Sequence, residues 1–397
     1  MRIGYSYWGF LGDKKYNDKG DILSTPDGNA FYSWSIINKL QQLGHVVLGI
    51  MPDRDEPGFR FDGPNLFDSW CTSPRLNSYI KMQHCEYGNL FSDVRCRSFE
   101  LEKTLFTYWD FYHLNEFDVI LHEWRMPIEG RNTLKDINSD SWQPDLFIQD
   151  CLIRYCIANN VKLVIFDLDY KIDEDTLQNL LITNNVYVFE LGNKWKDYSY
   201  STGGRCRKVY IPFDFRYINQ FSISDNVIDR IVYVGNRYER DWCIDKYLVD
   251  VPGLRVYGNW LESNRDSVSR WPGIQFGKRL QTSDMHKAYS NAATTILLAK
   301  KDYCEHSFMT ARIIEAIFYG SVPLFIEEYG EKTISKYAGM YIDILTVKNN
   351  VDVAEKSKLI FNDKELRKHI LEYLRVHLEF MDVDGFVKQL INIAGEK

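Results

Sequence analysis

The chain has 397 residues, 45% of them hydrophobic and 15% aromatic, which is enough to fill two globular cores and too apolar for a disordered protein. Its 48 lysines and arginines against 55 aspartates and glutamates leave a formal net charge of −7, which excludes a protein that coats nucleic acid by bulk electrostatics but not a local basic groove. Eight cysteines are scattered with no C-x-x-C pair and no paired metal spacing, so they read as reduced thiols in a cytosolic compartment.

The opening Met1–Trp8 predicts a buried strand, not a signal peptide, and no apolar run approaches the roughly 18 residues of a membrane span. Ala30–Leu43 reads as a helix stopped by Gly44, and His45–Met51 as a second strand, giving a βαβ opening. The turn Thr25–Asn29 sits where a strand end feeds a helix, the ligand side of open α/β sheets. Pro26, Asp27 and Gly28 equally suit an ordinary turn. Pro52–Cys96, rich in Pro, Gly and aromatics, yields no assignment. Glu116–His122 predicts a strand, Asp145–Asn159 a helix, and Val161–Phe166 a strand running into Asp167, Leu168, Asp169, Tyr170 and Lys171. Carboxylates at a strand's C-terminal end suit chemistry: one could take a proton from a hydroxyl nucleophile. They could instead cap the helix over DEDTLQNLL or form a metal-binding D-x-D.

Val186–Leu191 predicts another strand. Lys194–Lys208 then carries five basic residues against one acid, interleaved with Trp195, Tyr198 and Tyr200, and Gly203–Gly204 suggests a mobile centre. Such a loop can track a phosphate backbone and stack on bases, although most are merely solvated. The polar stretch Asn219–Asp229 marks a domain boundary. Beyond it, strands at IVYVGN, Leu254–Trp260, Gly273–Leu280 and Thr294–Leu298, with a helix at Met285–Asn291, predict a second parallel α/β domain. Gly235 would let backbone approach a phosphate, and Arg237 and Arg240 would add charge.

Ala299–Glu328 holds the strongest site candidate. Ser307 is expected to cap a helix with apolar Met309, Ile313, Ala316 and Ile317, closed by Gly320 before a strand at Val322–Ile326. Arg312 and Glu315 share one face near its first turns. They suit a nucleotide diphosphate, the arginine on phosphate and the glutamate on ribose, or else a surface ion pair. Lys356–Phe361 and Lys364–Leu378 predict charged amphipathic helices. A last helix, Val383–Ala394, is expected to pack back across the domain junction.

The order YVGNRYERD, LRVYGNW, FGKRL, KKDYCEHSFMTARIIEA resembles the T-even phage DNA beta-glucosyltransferases, which move glucose from UDP-glucose to 5-hydroxymethylcytosine in duplex DNA. The resemblance is best over Ile231–Glu328 and weaker over Thr25–Leu43 and Val161–Lys171. It implies an α/β protein of the GT-B class, two Rossmann-like parallel-sheet domains facing a central cleft. Residues 1–218 would form an acceptor (DNA) domain, 219–378 a UDP-sugar domain, and 379–397 a returning helix. It also implies a monomer in the cytoplasm of an infected bacterium, with a UDP-sugar and hydroxymethylated DNA as partners and no membrane.

Carried over by residue, Arg312 would bind the diphosphate and Glu315 the ribose, with Gly235, Asn236 and one or both of Arg237 and Arg240 completing the cradle and Gly258 also at the donor. Phe276, Lys278 and Arg279 would lie along the uracil. Asp169, or else Asp167, would be the catalytic base. The candidates for meeting DNA are Arg125 and, from the basic loop, Lys194, Trp195, Lys196, Arg205, Arg207 and Lys208. Asn29 stands where the family has a glutamate near the sugar, and Lys300 and Lys301 near its hydroxyl-reading aspartate. The donor is therefore glucose or another UDP-sugar, including a pentose such as arabinose. Mg or Mn could assist the diphosphate, yet no ligand set in the sequence demands a metal. Two rival readings are a GT-B enzyme with a glycan or small-molecule acceptor, and a non-catalytic nucleotide or DNA binder. Lipase, kinase and metalloprotease motifs are missing.

Overall fold

The computed structural model describes residues 1–6, 29–49, 117–124, 153, 156–157, 160–168, 170–215, 223–263, 268–280 and 282–396. The chain forms two units, one of Met1–Pro212 with Val383–Lys397 and one of Phe213–Asp382.

The first unit is built on six parallel strands, β1 (Arg2–Ser6), β2 (Val46–Gly49), β3 (Val119–Glu123), β4 (Leu163–Asp167), β5 (Val186–Glu190) and β6 (Cys206–Lys208), in the order β2-β1-β3-β4-β5-β6. VILHE, LVIFD and VYVFE are buried at every residue, as strands covered on both faces require. Helix α1 (Asn29–Gln42) joins β1 to β2. Gly44, at φ +80°, ends it by sending its amide to Gln41 O while His45 N–H reaches Leu40 O, a Schellman closure that needs glycine's left-handed conformation. Helix α2 (Glu174–Leu180) follows β4 and is capped by Asp173, whose side chain accepts from Thr176 N–H, so the D-x-D carboxylates are not its cap. Helix α3 (Lys196–Ser201) separates β5 from β6. The C-terminal helix, Val383–Gly395, presses Phe386 edge-on against Phe166 (5.1 Å) and Phe189 (5.2 Å), which accounts for its membership of this unit.

The second unit repeats the plan with β7 (Asp229–Val234), β8 (Leu254–Tyr257), β9 (Gln275–Gly277), β10 (Ala292–Leu297), β11 (Val322–Ile326) and β12 (Thr346–Val347), all parallel in the order β12-β11-β10-β7-β8-β9. Its longer α-helices are α4 (Thr282–Ser290), α5 (Lys301–Glu305), α6 (Ala311–Phe318), α7 (Glu327–Thr333), α8 (Asn350–Asn362) and α9 (Lys364–His377). The unit begins at Phe213, upstream of the polar stretch. Phe213 bridges Asp382, and the Asp382 carboxylate accepts Phe215 N–H at 2.9 Å, which ties both chain crossings to one point. Two short strands, β6 and β12, go beyond the sequence reading. Among the described residues no helix is long and apolar enough to cross a membrane.

Candidate functional site

The sharpest cluster lies at the C-terminal edge of the second sheet. Helix α6 starts at Ala311 with Thr310 as N-cap, not at Ser307. Ser307 instead adopts φ +54°, and Phe308 N–H bonds back to Tyr303 O, so the serine ends α5. The far end is as expected: Gly320 (φ +87°) donates to Ile317 O and Ser321 N–H to Ala316 O. No side chain caps the α6 N-terminus, leaving the positive end of its dipole open to an anion.

Arg312 and Glu315 are both half-buried. They are not a surface ion pair: among the described residues neither side chain makes a salt bridge or a hydrogen bond. Burial raises the Glu315 carboxyl above its usual range, against the opposing pull of Arg312. The guanidinium lies against Gly235: a Cβ added there would sit 2.7 Å from Arg312 Cζ and 2.5 Å from Tyr233 Oη. A side chain at this position would push the guanidinium or the Tyr233 hydroxyl aside. The amide of Gly235 is not a free phosphate donor, since it bonds Tyr257 O at 2.8 Å, and its carbonyl accepts Trp260 Nε1–H at 2.7 Å. Gly258 (φ +150°) lets β8 close on β7, because a Cβ there would meet Gly235 O at 2.1 Å; it shapes the wall and is not itself a donor.

Two tyrosines lie buried beside this pair. Tyr233 and Tyr289 are fully buried, and neither hydroxyl has a partner among the described residues. Tyr289 is held above its normal pKa by burial first and by Glu315 second, so it stays a neutral donor. The arginines after β7 are more committed than expected. Arg237 pairs with Asp241, Nε to Oδ1 at 2.7 Å. Arg240 is buried and brackets three carbonyls, Tyr238 at 2.9 Å and Asn236 and Leu298 at 3.3 Å. Asp241 neutralises Arg237 in the free protein, and the Arg240 bonds hold the loop containing Asn236 in shape. Phe276 is half-buried against Trp260 (5.8 Å) and Trp271 (5.9 Å), with Lys278 and Arg279 exposed beyond it. Lys300 Nζ sits over the Tyr238 ring at 4.3 Å, and Lys301 is exposed.

At the C-terminal edge of the first sheet, Asp167 is fully buried and accepts the amides of Lys171 (2.9 Å) and Ile172 (3.1 Å). It braces the backbone at Lys171 and Ile172, a role that competes with acting as the base. Asp169 and Arg125 lie outside the described residues, as does the Asn29 side chain. The neighbouring Glu190 pairs in register with Asp167. Burial pushes its carboxyl up to about 7, opposed by the Trp195 amide. On β1 and β3, Ser6 Oγ and His122 Nδ1 lie 2.9 Å apart in buried surroundings.

The cations of the basic segment Lys194–Lys208 are mostly bonded within their own unit. Lys194 donates to Ile172 O at 3.1 Å and Trp195 is buried. Arg205 bonds the carbonyls of Leu181 and Thr183. Arg207 pairs with Glu396 at 2.9 Å, and Lys208 donates to Asn193 Oδ1 at 3.0 Å. Only Lys196, at the start of α3, is an exposed cation here without a partner among the described residues. The cations were attracted by carbonyls and a carboxylate within the same unit.

No family model matches the chain, and no curated protein matches it either. Solved structures do. T4 phage beta-glucosyltransferase in complex with UDP and Mn2+ superposes with a TM-score of 0.58 at 13% identity, covering 100% of both chains. Sucrose-phosphate synthase from Thermosynechococcus elongatus gives 0.55 at 11%, covering 99% of this chain and 98% of the other. Anabaena HepE in complex with UDP and glucose gives 0.53 at 11%, with the same coverage. The fold is GT-B. Within this GT-B frame, the sequence reading missed Tyr233, Tyr289, Glu190 and the Ser6–His122 pair. Their signal was a polar tip on an otherwise apolar strand or helix face, which periodicity alone assigns to the core. One further group, Asp302, Glu305 and His306, brings potential metal-ligand atoms within 4.8 Å of one another, but its carboxylates are exposed.

Proposed function

We propose that the chain is a UDP-sugar-dependent glycosyltransferase that moves a glucosyl or pentosyl group, with inversion, onto the hydroxymethyl group of 5-hydroxymethylcytosine or 5-hydroxymethyluracil in DNA. The observation that carries the donor half is Arg312: a half-buried guanidinium without an acceptor, seated on Gly235 at an uncapped helix N-terminus. A buried cation left unpaired is costly, and a diphosphate removes that cost. In this reading Glu315 accepts from the ribose, and a divalent cation is an optional aid. Asp169 is the base that takes the hydroxymethyl proton as the oxygen attacks the anomeric carbon and the bond from that carbon to the diphosphate oxygen breaks, UDP leaving with its negative charge held by Arg312. The DNA half is supported by the full-length likeness to the phage enzyme.

A second reading keeps the donor and replaces DNA with a glycan or small molecule. The internal pairing of the Lys194–Lys208 cations and the net charge of −7 favour it. Incubating hydroxymethylated and unmodified duplexes with a panel of UDP-sugars, followed by mass spectrometry of the nucleosides, separates the two. The DNA reading expects a sugar adduct on the hydroxymethylated strand alone, abolished by Asp169→Asn with UDP binding intact. UDP-sugar turnover that never modifies DNA overturns it in favour of the second.

A further inference from the structure

In both sheets the strand order reverses beside the first strand, between β7 and β10 in the second unit and between β1 and β3 in the first. Such a switch point, at the carboxyl ends of the strands, is where open α/β sheets bind ligands. The donor candidates Gly235 and Arg312 follow β7 and β10. The first unit carries a polar pair at the matching place. Ser6 is the last residue of β1 and pairs in register with His122 near the end of β3, and Ser6 Oγ lies 2.9 Å from His122 Nδ1. Ile3, Val119, Ile120 and Leu121, deeper in the same strands, keep none of their surface exposed, whereas Ser6 and His122 keep 7% and 5%. The pair therefore lies where the buried strands reach the edge of the sheet.

A serine hydroxyl has one proton to give and two lone pairs. The bond to His122 takes up one of these, and Ser6 Oγ makes no second hydrogen bond among the described residues. The imidazole sets how the remainder is used. With the ring proton on Nε2, Nδ1 accepts from Ser6 and leaves Oγ to accept from an N–H or O–H group. With the proton on Nδ1, the ring donates to Oγ and the serine donates outward to a carbonyl. Neither form is charged, so the pair suits a neutral hydrogen-bonding group and not a phosphate, which calls for cations or a run of amides. We propose that Ser6 is a specificity-determining residue for the acceptor, oriented by His122 as a positioning residue. This rests on the proposed function above, which gives the donor to the second unit and leaves the switch point of the first to the acceptor. The group read is the amino or carbonyl edge of the modified pyrimidine, beside its hydroxymethyl substituent.

The test is steady-state transfer by the full chain to duplexes containing 5-hydroxymethylcytosine or 5-hydroxymethyluracil, with UDP affinity measured by calorimetry for each variant. Ser6→Ala should raise KM for the accepted duplex by about tenfold, the size of one neutral hydrogen bond, and leave UDP affinity unchanged. Ser6→Thr keeps the hydroxyl on a residue that suits a strand and should stay close to wild type. A residue that only packed would rank the two the other way, because an added methyl group strains a close-packed strand more than a smaller side chain does. His122→Phe should raise KM as Ser6→Ala does, and His122→Asn, whose amide can face Ser6, should restore part of the loss. An unchanged KM in Ser6→Ala, a Ser6→Thr worse than Ser6→Ala, or a UDP affinity that falls together with the acceptor overturns the assignment and leaves the proposed transfer standing. A wild-type protein that modifies neither duplex overturns the transfer reading, and this inference with it.

Discussion

The C-terminal edges of the two sheets carry similar residues and use them differently. In the first unit, Asp167 is satisfied by the Lys171 and Ile172 amides, Glu190 by the Trp195 amide, Lys194 by Ile172 O and Arg207 by Glu396. In the second, Arg312, Glu315, Tyr233 and Tyr289 converge without a partner among the described residues. A charge whose bonds are closed by its own chain positions backbone. One left open in a recess is held for something that binds. The contrast separates residues that hold the structure from residues that await a ligand, which charge composition cannot do.

The largest effect should come from the open side. Arg312→Ala is expected to lower transfer by about 10²–10³-fold, the usual cost of deleting one preorganised donor to developing charge, and to abolish measurable UDP binding by calorimetry. Gly235→Ala sharpens this, because its Cβ would lie 2.7 Å from Arg312 Cζ. It should weaken UDP binding while keeping the charge. Unchanged UDP affinity in both variants would remove Arg312 from the site.

The closed side should answer to pH in place of ligand. Glu190 has its carboxyl raised from 4.5 to about 7 by burial, so between those values the folded state holds a proton that the unfolded state has released. Its contribution is fully present below pH 4.5 and is lost as pH rises through about 7, a decline of about 3 kcal/mol. Glu190→Gln should match wild type in urea denaturation near pH 4.5 and exceed it by about that amount at pH 8. An identical pH slope for the two proteins would mean that Glu190 is solvated in solution.

These differences mark how far the sequence could be read. Strand positions were legible because VILHE, LVIFD and VPLFI are apolar runs bounded by polar turns, and the Gly44 and Gly320 stops because left-handed closure needs glycine. The Arg312–Glu315 pair was legible as an i, i+3 face, and Gly235 as the close of a strand, although its packing against Arg312 shows only in the structure. Ser307 misled: a serine before an apolar helix looks like a cap, and only the Tyr303–Phe308 hydrogen bond shows that it closes the preceding turn. The internal bonding of the basic segment was out of reach for a deeper reason. Whether Arg205 meets a phosphate or the Leu181 carbonyl depends on residues more than twenty positions away, and no local pattern encodes that choice. Tyr289 was hidden because a buried tyrosine and a buried phenylalanine leave the same periodic trace.

The smallest effects test the closed side directly, through the segment that looked most like a DNA-binding loop. Arg205→Ala strips bonds from buried-side carbonyls and should destabilise the fold by about 1–3 kcal/mol, visible as a lower denaturation midpoint. Lys196→Ala removes an exposed cation and should alter stability by less than about 0.5 kcal/mol. The discriminating readout is salt. A lysine that contacts phosphate releases a counterion, so its loss lowers the slope of log K against log salt by about 1. If Lys196 lies off the DNA path, titrating a hydroxymethylated duplex from low to moderate salt should give Lys196→Ala the wild-type slope. A slope reduced by about 1 would put α3 on the DNA after all, and the closed edge would then be a scaffold that presents a single cation to the acceptor.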